Sequence, residues 1–279
     1  MTQTSLGLGI GWRPELALDI ARRSDLGFVE IIAENIGSDS IPEPLLELKN
    51  RGVQIIPHGI SLSLGGAEPI APDRVRHLAE LATRLDSPLV SEHIAFVRAG
   101  GIEAGHLLPL PRTRAVIDVV VENVRAVRNL LPVPMALENV AALFAWPNGE
   151  MDEAKFLDDI LGQTGAGLLL DVANLWANAR NLGGDAVELL RRLPLDRLAY
   201  VHVAGGEERD GTYYDTHAAN VPEGVLRLLS ELCARADPPG VMLERDDRFP
   251  GGAELNRELD AIADAVAKGH ARFSRAGCI

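Results

Sequence analysis

Six apolar runs in this chain each end on a side chain that can bind a metal ion or move a proton. VQIIPHG reaches His58, PLVSEHIAF breaks at Glu92 and His93, PMALENV reaches Glu138 and Asn139, and GLLLDVAN contains Asp171 with Asn174 just beyond. LAYVHVAG carries His202, GVMLERD carries Glu244, and the segment GGEERDGTYYDTHAAN adds Asp215 and His217. Two residues apart on an extended segment, Asp215 and His217 point the same way. Gathered in one dry place, so many carboxylates could not all ionise without a compensating cation. Four histidines and four carboxylates exceed the three or four donors one catalytic ion takes from a protein. The set therefore implies two or three ions, with Glu138 or Glu244 free to bridge through its two oxygens. Mixed imidazole and carboxylate donors suit iron, manganese or zinc and do not separate them.

Taken singly, each residue has a plainer reading: a strand-end His is often only hydrogen-bonded, and a strand-end Asp or Glu often caps the next helix. It is the coincidence that argues for metal, since four of the seven histidines sit at strand ends or in the one loop between them, all on the expected active face. His77 lies within a helical segment and His270 near the C-terminus, and both read as surface residues. His106, in GHLLPLPRT, falls in the loop after the fourth strand and has no assigned role. Glu30 and Glu34 read as polar groups of a strand or partners of ligands, and enter no ligand set. Glu92 has opposite strand parity to His93, so the two are not expected to share one ion. Trp12, Trp146 and Trp176 read as packing residues, and Cys233 as core. There is no G-x-S-x-G elbow, and Ser91 sits poorly for a hydrogen bond to His93 on its own strand.

Positioning such a set requires elements whose ends share one face. Short runs rich in Val, Ile and Leu fall at 6–12, 28–35, 53–59, 88–96, 134–140, 167–174, 198–205 and 240–246. Amphipathic segments lie between them, at 72–85, 112–131, 152–163 and 221–236. Eight near-continuous apolar strands alternating with helices predict a parallel sheet closed into a TIM (β/α)8 barrel, one domain over residues 1–279. Active sites of such barrels lie at the C-terminal ends of the strands, where these residues fall. An open doubly wound sheet would want G-x-G-x-x-G after the first strand, which GLGIGW followed by Arg13 and Pro14 does not supply.

The formal charge of −13 comes from 40 acidic against 27 basic residues, which argues against nucleic-acid binding. No apolar run approaches the roughly 20 residues a membrane span needs. The start MTQTSLGLGIGWRPEL lacks the features of a signal peptide, and Cys233 and Cys278 make no disulfide framework, so a cytoplasmic location is expected.

The strings WRPEL, PHGISLSLGGAEP, SEHIAF, GHLLPLPRT, ALENVAALF, LLLDVANLWANARN, YVHVAGG, DTHA and MLERD resemble the multinuclear non-haem iron-dependent oxidative enzymes. That family was formerly a domain of unknown function and includes the oxidase subunit of methanobactin biosynthesis. The resemblance covers roughly residues 6–250. It implies a TIM barrel holding two or three iron ions (Fe2+/Fe3+), with O2 as co-substrate. It also implies oxidative modification of cysteine, or another residue, in a ribosomally made precursor peptide. The family's ligand positions fall on His58, His93, Glu138, Asp171, Asn174, His202, Asp215, His217 and Glu244, none substituted. The implied division is His58 and His93 on one ion, Asp171 and His202 on a second, Asn174, Asp215 and His217 on a third, with Glu138 and Glu244 bridging. Residues 247–279 read as a closing helix, so a separate partner protein, or a leader on the substrate, is expected to present the peptide. The alternative is a divalent-metal TIM-barrel isomerase or hydrolase of the sugar isomerase or endonuclease-four type.

Overall fold

A computed structural model describes residues 5–276 of the chain; Cys278 and the outermost residues of the expected 1–279 domain lie outside that range. In chain order the elements are β1 (Gly7–Gly11), α1 (Ala17–Arg22), β2 (Leu26–Ile32), α2 (Glu43–Asn50), β3 (Gln54–Gly59), α3 (Pro72–Leu85) and β4 (Val90–His93). A hairpin follows, β5 (Phe96–Ala99) and β6 (Ile102–Leu108), then α4 (Arg114–Arg128), β7 (Met135–Glu138), α5 (Glu153–Thr164), β8 (Gly167–Asp171), α6 (Val172–Leu182) and α7 (Ala186–Leu190). The chain continues with β9 (Leu198–Ala204), a second hairpin of β10 (Glu207–Arg209) and β11 (Thr212–Tyr214), α8 (Glu223–Cys233), β12 (Gly240–Glu244) and α9 (Gly252–Ala276). Eight strands close a parallel barrel in the order β1-β12-β9-β8-β7-β4-β3-β2, the TIM-barrel architecture the alternation predicts.

Strand parity sorts each strand into two faces. Val29, Ile31, Ile55, Val90, Leu137, Leu168, Leu170, Val201, Val203, Val241 and Leu243 face outward into the large core shared with the helices. Phe28, Ile56, Ala136, Leu169, Tyr200 and Met242 face inward and pack, together with Leu6 just ahead of β1, as a separate apolar floor. Two residues further along, on the same parity, stand Glu30, His58, Glu138, Asp171, His202 and Glu244, all buried. Apolar floor and polar ring are thus consecutive layers of one barrel interior. Strand β1 contributes glycines on this parity. A Cβ at Gly9 would lie 2.4 Å from the Phe28 ring, so only glycine lets Phe28 fill the floor.

Several expected boundaries shift. The run 28–35 leaves the sheet at Ile32 and turns through a 3-10 segment at Ala33–Asn35. The run 167–174 stops at Asp171, whose carboxylate caps α6 by accepting from Asn174 N, so Asn174 lies on a helix rather than a strand. The run 88–96 is two strands, β4 ending at His93 and β5 opening at Phe96. Both hairpins close on residues with positive φ, Gly100 and Gly101 in one, Asp210 and Gly211 in the other. Among the described residues no helix is long and apolar enough to cross a membrane.

Candidate metal centre

The ends of β3, β4, β7, β8, β9 and β12 bring His58, His93, Glu138, Asp171, His202 and Glu244 to the barrel mouth, and the loop after β11 adds His217. Four overlapping groups result: His58 with His93 and Glu138; Glu138 with Asp171 and His202; Asp171 with His217 and Glu244; and Glu30 with His202 and Glu244. Within each group one donor atom per residue lies within 4.8 Å of the others. Glu138 Oε2 is 3.4 Å from His58 Nε2 and 3.2 Å from His93 Nε2, while its Oε1 is 3.4 Å from His202 Nδ1. Glu244 Oε2 is 3.0 Å from His202 Nδ1, and Oε1 is 3.5 Å from His217 Nδ1. Donors held 2.0–2.2 Å from one ion stand about 3.0–3.5 Å apart along the edges of a tetrahedron or octahedron. The observed spacings fall in that range.

Unsatisfied polar atoms crowd the same mouth. Glu138 Oε2, Asp171 Oδ2, Asn174 Oδ1, His202 Nδ1 and Asp215 Oδ1 are buried without a hydrogen-bond partner. A buried polar atom left so costs about 1–3 kcal/mol, more when charged. Five of them converging on one mouth fit a site that cations complete. Asp171 shows how the two readings of a strand-end acid combine, because Oδ1 caps α6 and Oδ2 stays unpartnered.

The other nitrogen of each floor-side imidazole is already engaged. His58 Nδ1 lies 2.8 Å from Ser91 Oγ, His93 Nδ1 3.3 Å from the Gly59 carbonyl, and His202 Nε2 2.9 Å from Glu30 Oε2. Such contacts fix ring orientation and leave the opposite nitrogen for a metal. The Tyr200 hydroxyl lies 2.5 Å from Glu30 and 2.6 Å from Ser91, so a buried network beneath the mouth links His58 to His202. Ser91 therefore serves the neighbouring strand's histidine. Glu30 Oε1 has no partner, and Glu30 joins a metal-type group that the sequence reading left out.

Electrostatics follow from burial and crowding. Burial alone would strip the charge from His93, but the carboxylates of Glu138, Glu92 and Glu244 outweigh it and raise its pKa to about 9. Against the same opposing burial, His93, His202 and His58 hold Glu138 down to about 2. Asp171 is pushed up by burial and by Asp215 and Glu138, whereas His217 and His202 overcome burial to hold Glu244 well down. His202 and His217 are raised, their burial overcome by Glu30 and by Asp215 respectively as the leading carboxylates. Without metal, protons on imidazoles balance the carboxylates; a cation would replace them.

Other expected residues fall as follows. Glu92 faces away from the mouth, as its parity demands, and accepts from His93 N at 2.8 Å and Leu62 N at 2.9 Å. Asp215 and His217 do meet, Nε2 to Oδ2 at 2.9 Å, but through a bend with His217 at φ +49, not an extended segment. Asp215 belongs to none of the four donor groups. The Asn174 side chain donates to the Asn139 carbonyl, and Asn139 clamps the Asp171 backbone in both directions. Glu34 accepts from Ile60 N. His106 is exposed on β6, away from the buried cluster. His77 and His270 are half-buried, the first bonded to the Ala33 carbonyl and the second 3.2 Å from Asp237. Trp12 is buried and Trp176 stacks edge-on against Tyr213, but Trp146 is 45% exposed beside Phe144, so it is not a core residue. Cys233 is buried and free. Two site residues lacked any sequence assignment, Arg13 and Asp246; Asp246 carries a signal, two residues beyond Glu244.

A closed parallel barrel with a shared histidine and carboxylate cluster at its C-terminal mouth is an enzyme scaffold of the TIM-barrel class. The chain belongs to the RiPP precursor modification enzyme family MbnB/TglH/ChrH, whose family model matches residues 7–267; these enzymes modify ribosomally made peptides. A UPF0276 protein of Streptomyces avermitilis is 52% identical over 278 residues, covering 97% of this chain, which spans 57% of that relative's length. Among solved structures, an L-ribulose 3-epimerase superposes with a TM-score of 0.62 at 11% identity, over 98% of each chain. An endonuclease IV from Thermus thermophilus gives 0.58 at 18% identity, over 92% of this chain and 99% of that one. Identities this low show a shared barrel and nothing of the reaction.

Proposed function

We propose that the protein is a multinuclear non-haem iron enzyme that uses O2 to oxidise a cysteine, or another residue, of a ribosomally made precursor peptide. The observation that carries this reading is the overlap of the donor groups: Glu138, Asp171, His202 and Glu244 each belong to two of them. In the proposed ligand set, His58 and His93 hold one ion, Asp171 and His202 a second, and Asn174, Asp215 and His217 a third. Glu138 offers Oε2 toward the first pair and Oε1 toward His202, which supports a bridge between the first and second positions. Glu244 offers Oε2 toward His202 and also groups with Asp171 and His217, which supports a bridge between the second and third. Iron bound there would supply redox chemistry toward O2. The chain's part is to fix the donors through Ser91, Glu30 and the Gly59 carbonyl, and to exclude water beneath them with the apolar floor. A separate peptide-recognition protein would present the substrate, and a cytoplasmic location suits a chain whose only described cysteine is free.

The isomerase reading keeps the barrel and calls for a catalytic lysine or an acid-base pair beside a sugar; the lysine form finds no support at the mouth. Lys49, Lys155 and Lys268 all lie on outer helices, α2, α5 and α9.

Metal analysis of protein purified without oxygen tests the proposal, together with oxygen uptake after iron reconstitution. Two or three irons per chain and oxygen uptake are expected. Zinc alone, with no uptake after reconstitution, overturns the iron-oxidase reading. His93→Ala or Glu138→Ala should cut metal content while circular dichroism stays that of the folded barrel; unchanged metal content overturns the ligand set.

A further inference from the structure

His217 and Asp215 are the proposed ligands carried by a loop, and the His217 backbone sits at φ +49, a left-handed conformation unusual for a histidine. A residue so placed keeps its geometry only if its surroundings impose it. Asp246 supplies two such restraints. Its backbone N–H donates to the His217 carbonyl at 3.1 Å, and its Oδ2 lies 2.8 Å from His217 Nδ1. Asp246 is itself held from behind. The Arg13 guanidinium donates to Oδ1 through Nε at 2.8 Å and Nη2 at 2.5 Å, leaving Oδ2 for the histidine. Arg13 Nη1 is fixed in turn by the Trp12 carbonyl at 2.9 Å. The Arg13 side chain is 8% exposed and its guanidinium runs beside Gly11, where a Cβ would come within 3.2 Å of Nη1. Its Nη2 also lies 3.8 Å from Glu244 Oε1, so a fixed positive charge flanks the carboxylate proposed to bridge.

We infer that Arg13 and Asp246 are positioning residues for the outermost cation position, acting through His217: Arg13 orients Asp246, and Asp246 holds Nδ1 so that Nε2 is the nitrogen presented to a metal. This rests on the proposed reading of His217 as a ligand. Carboxylate–histidine–metal chains of this kind typically change metal affinity by about 10–100-fold when the carboxylate is removed. Asp246 is no ligand in this account, because both of its oxygens already accept hydrogen bonds. Arg13 is no substitute for lysine, since an ammonium cannot make the forked contact to Oδ1.

The test uses zinc, which is spectroscopically silent, on the full chain as wild type, D246N, R13K and H217A, with chelator-competition titration and elemental analysis. H217A should lose the weakest-bound ion. D246N and R13K should keep the inner ions and bind the weakest one about 10–100-fold less tightly. Long-range 1H–15N spectra of zinc-loaded wild type should show His217 protonated at Nδ1 and metal-bound at Nε2, with that signature lost or mixed in D246N. A merely structural role would leave the tautomer alone, and R13K keeps the test alive if D246N misfolds. Wild-type affinity in both variants, or metal on Nδ1 in the wild type, overturns the clamp. A wild type that binds no second or third ion overturns the multinuclear reading and the clamp together, whereas normal binding by the variants overturns the clamp alone.

Discussion

Replacing Glu92 separates bracing the mouth from ligating metal. Its side chain is 1% exposed, with Oε1 accepting from His93 N at 2.8 Å and Oε2 from Leu62 N at 2.9 Å. It therefore ties the end of β4 to the loop after β3 from behind the barrel wall. Glutamine retains one acceptor oxygen and turns an amide NH2 toward the second N–H, which loses one charge-assisted bond and strands one buried donor. Those effects overlap, so Glu92→Gln should cost about 2–3 kcal/mol, and Glu92→Ala, which strands both donors, about 3–5 kcal/mol. Urea unfolding of metal-free protein reads the loss as a lower midpoint at unchanged slope, free of the stabilisation that bound metal adds. Metal content of the loaded variants should equal wild type. An unchanged midpoint would refute the bracing role, and an ion lost with stability intact would show Glu92 to be a ligand and refute the parity argument.

Two further expectations concern the metal-free barrel and its floor. His93 is raised from 6.5 to about 9, so its pairing with Glu138 and Glu92 stabilises the fold fully below pH 6.5 and is lost as pH rises through 9. Glu138 is lowered from 4.5 to about 2, so its contribution is present above pH 4.5 and lost as pH falls toward 2. Metal-free protein should accordingly lose urea resistance between about pH 6.5 and 9.5, and a flat profile there would count against the pairing. At the floor, Gly9→Ala would force a Cβ to 2.4 Å from Phe28 and should cost about 1–3 kcal/mol. Gly162→Ala, in α5 with open space around it, should be neutral or stabilising by about 0.5–1 kcal/mol, and equal effects at the two positions would refute the packing argument.

What was legible in the chain follows its local periods. Strand alternation and helical period are written within a few residues of each other, so the eight strands and α3 at 72–85 emerge directly. His58, His93, Glu138, Asp171, His202 and Glu244 were legible because each closes its own apolar run, and Asp215 and His217 because they stand two residues apart in one loop. Glu30 was harder, since its partners Tyr200 and His202 lie 170 and 172 residues away and only barrel closure brings them together. The same holds for Arg13 and Asp246, 233 residues apart. Parity nonetheless marks Glu30, two residues past the floor residue Phe28, as it marks every other member of the ring. Neither hairpin is among the sequence expectations, although Gly100–Gly101 and Asp210–Gly211 are turn pairs suited to positive φ. The helix start at Val172 hid behind Asp171, which serves strand end and cap together.

Because floor and ring occupy one parity, strand length and donor identity are inseparable. Deleting one residue within β9 ahead of Tyr200 would do more than move His202: it would turn Val201 and Val203 toward the mouth and drive Tyr200 and His202 among the helices. Point substitutions can therefore alter this centre one donor at a time, while insertions and deletions inside a barrel strand exchange its inside for its outside. Length variation among relatives should thus collect in the β5–β6 and β10–β11 hairpins, where the loops can grow over the mouth and reshape what reaches it without disturbing the donors below.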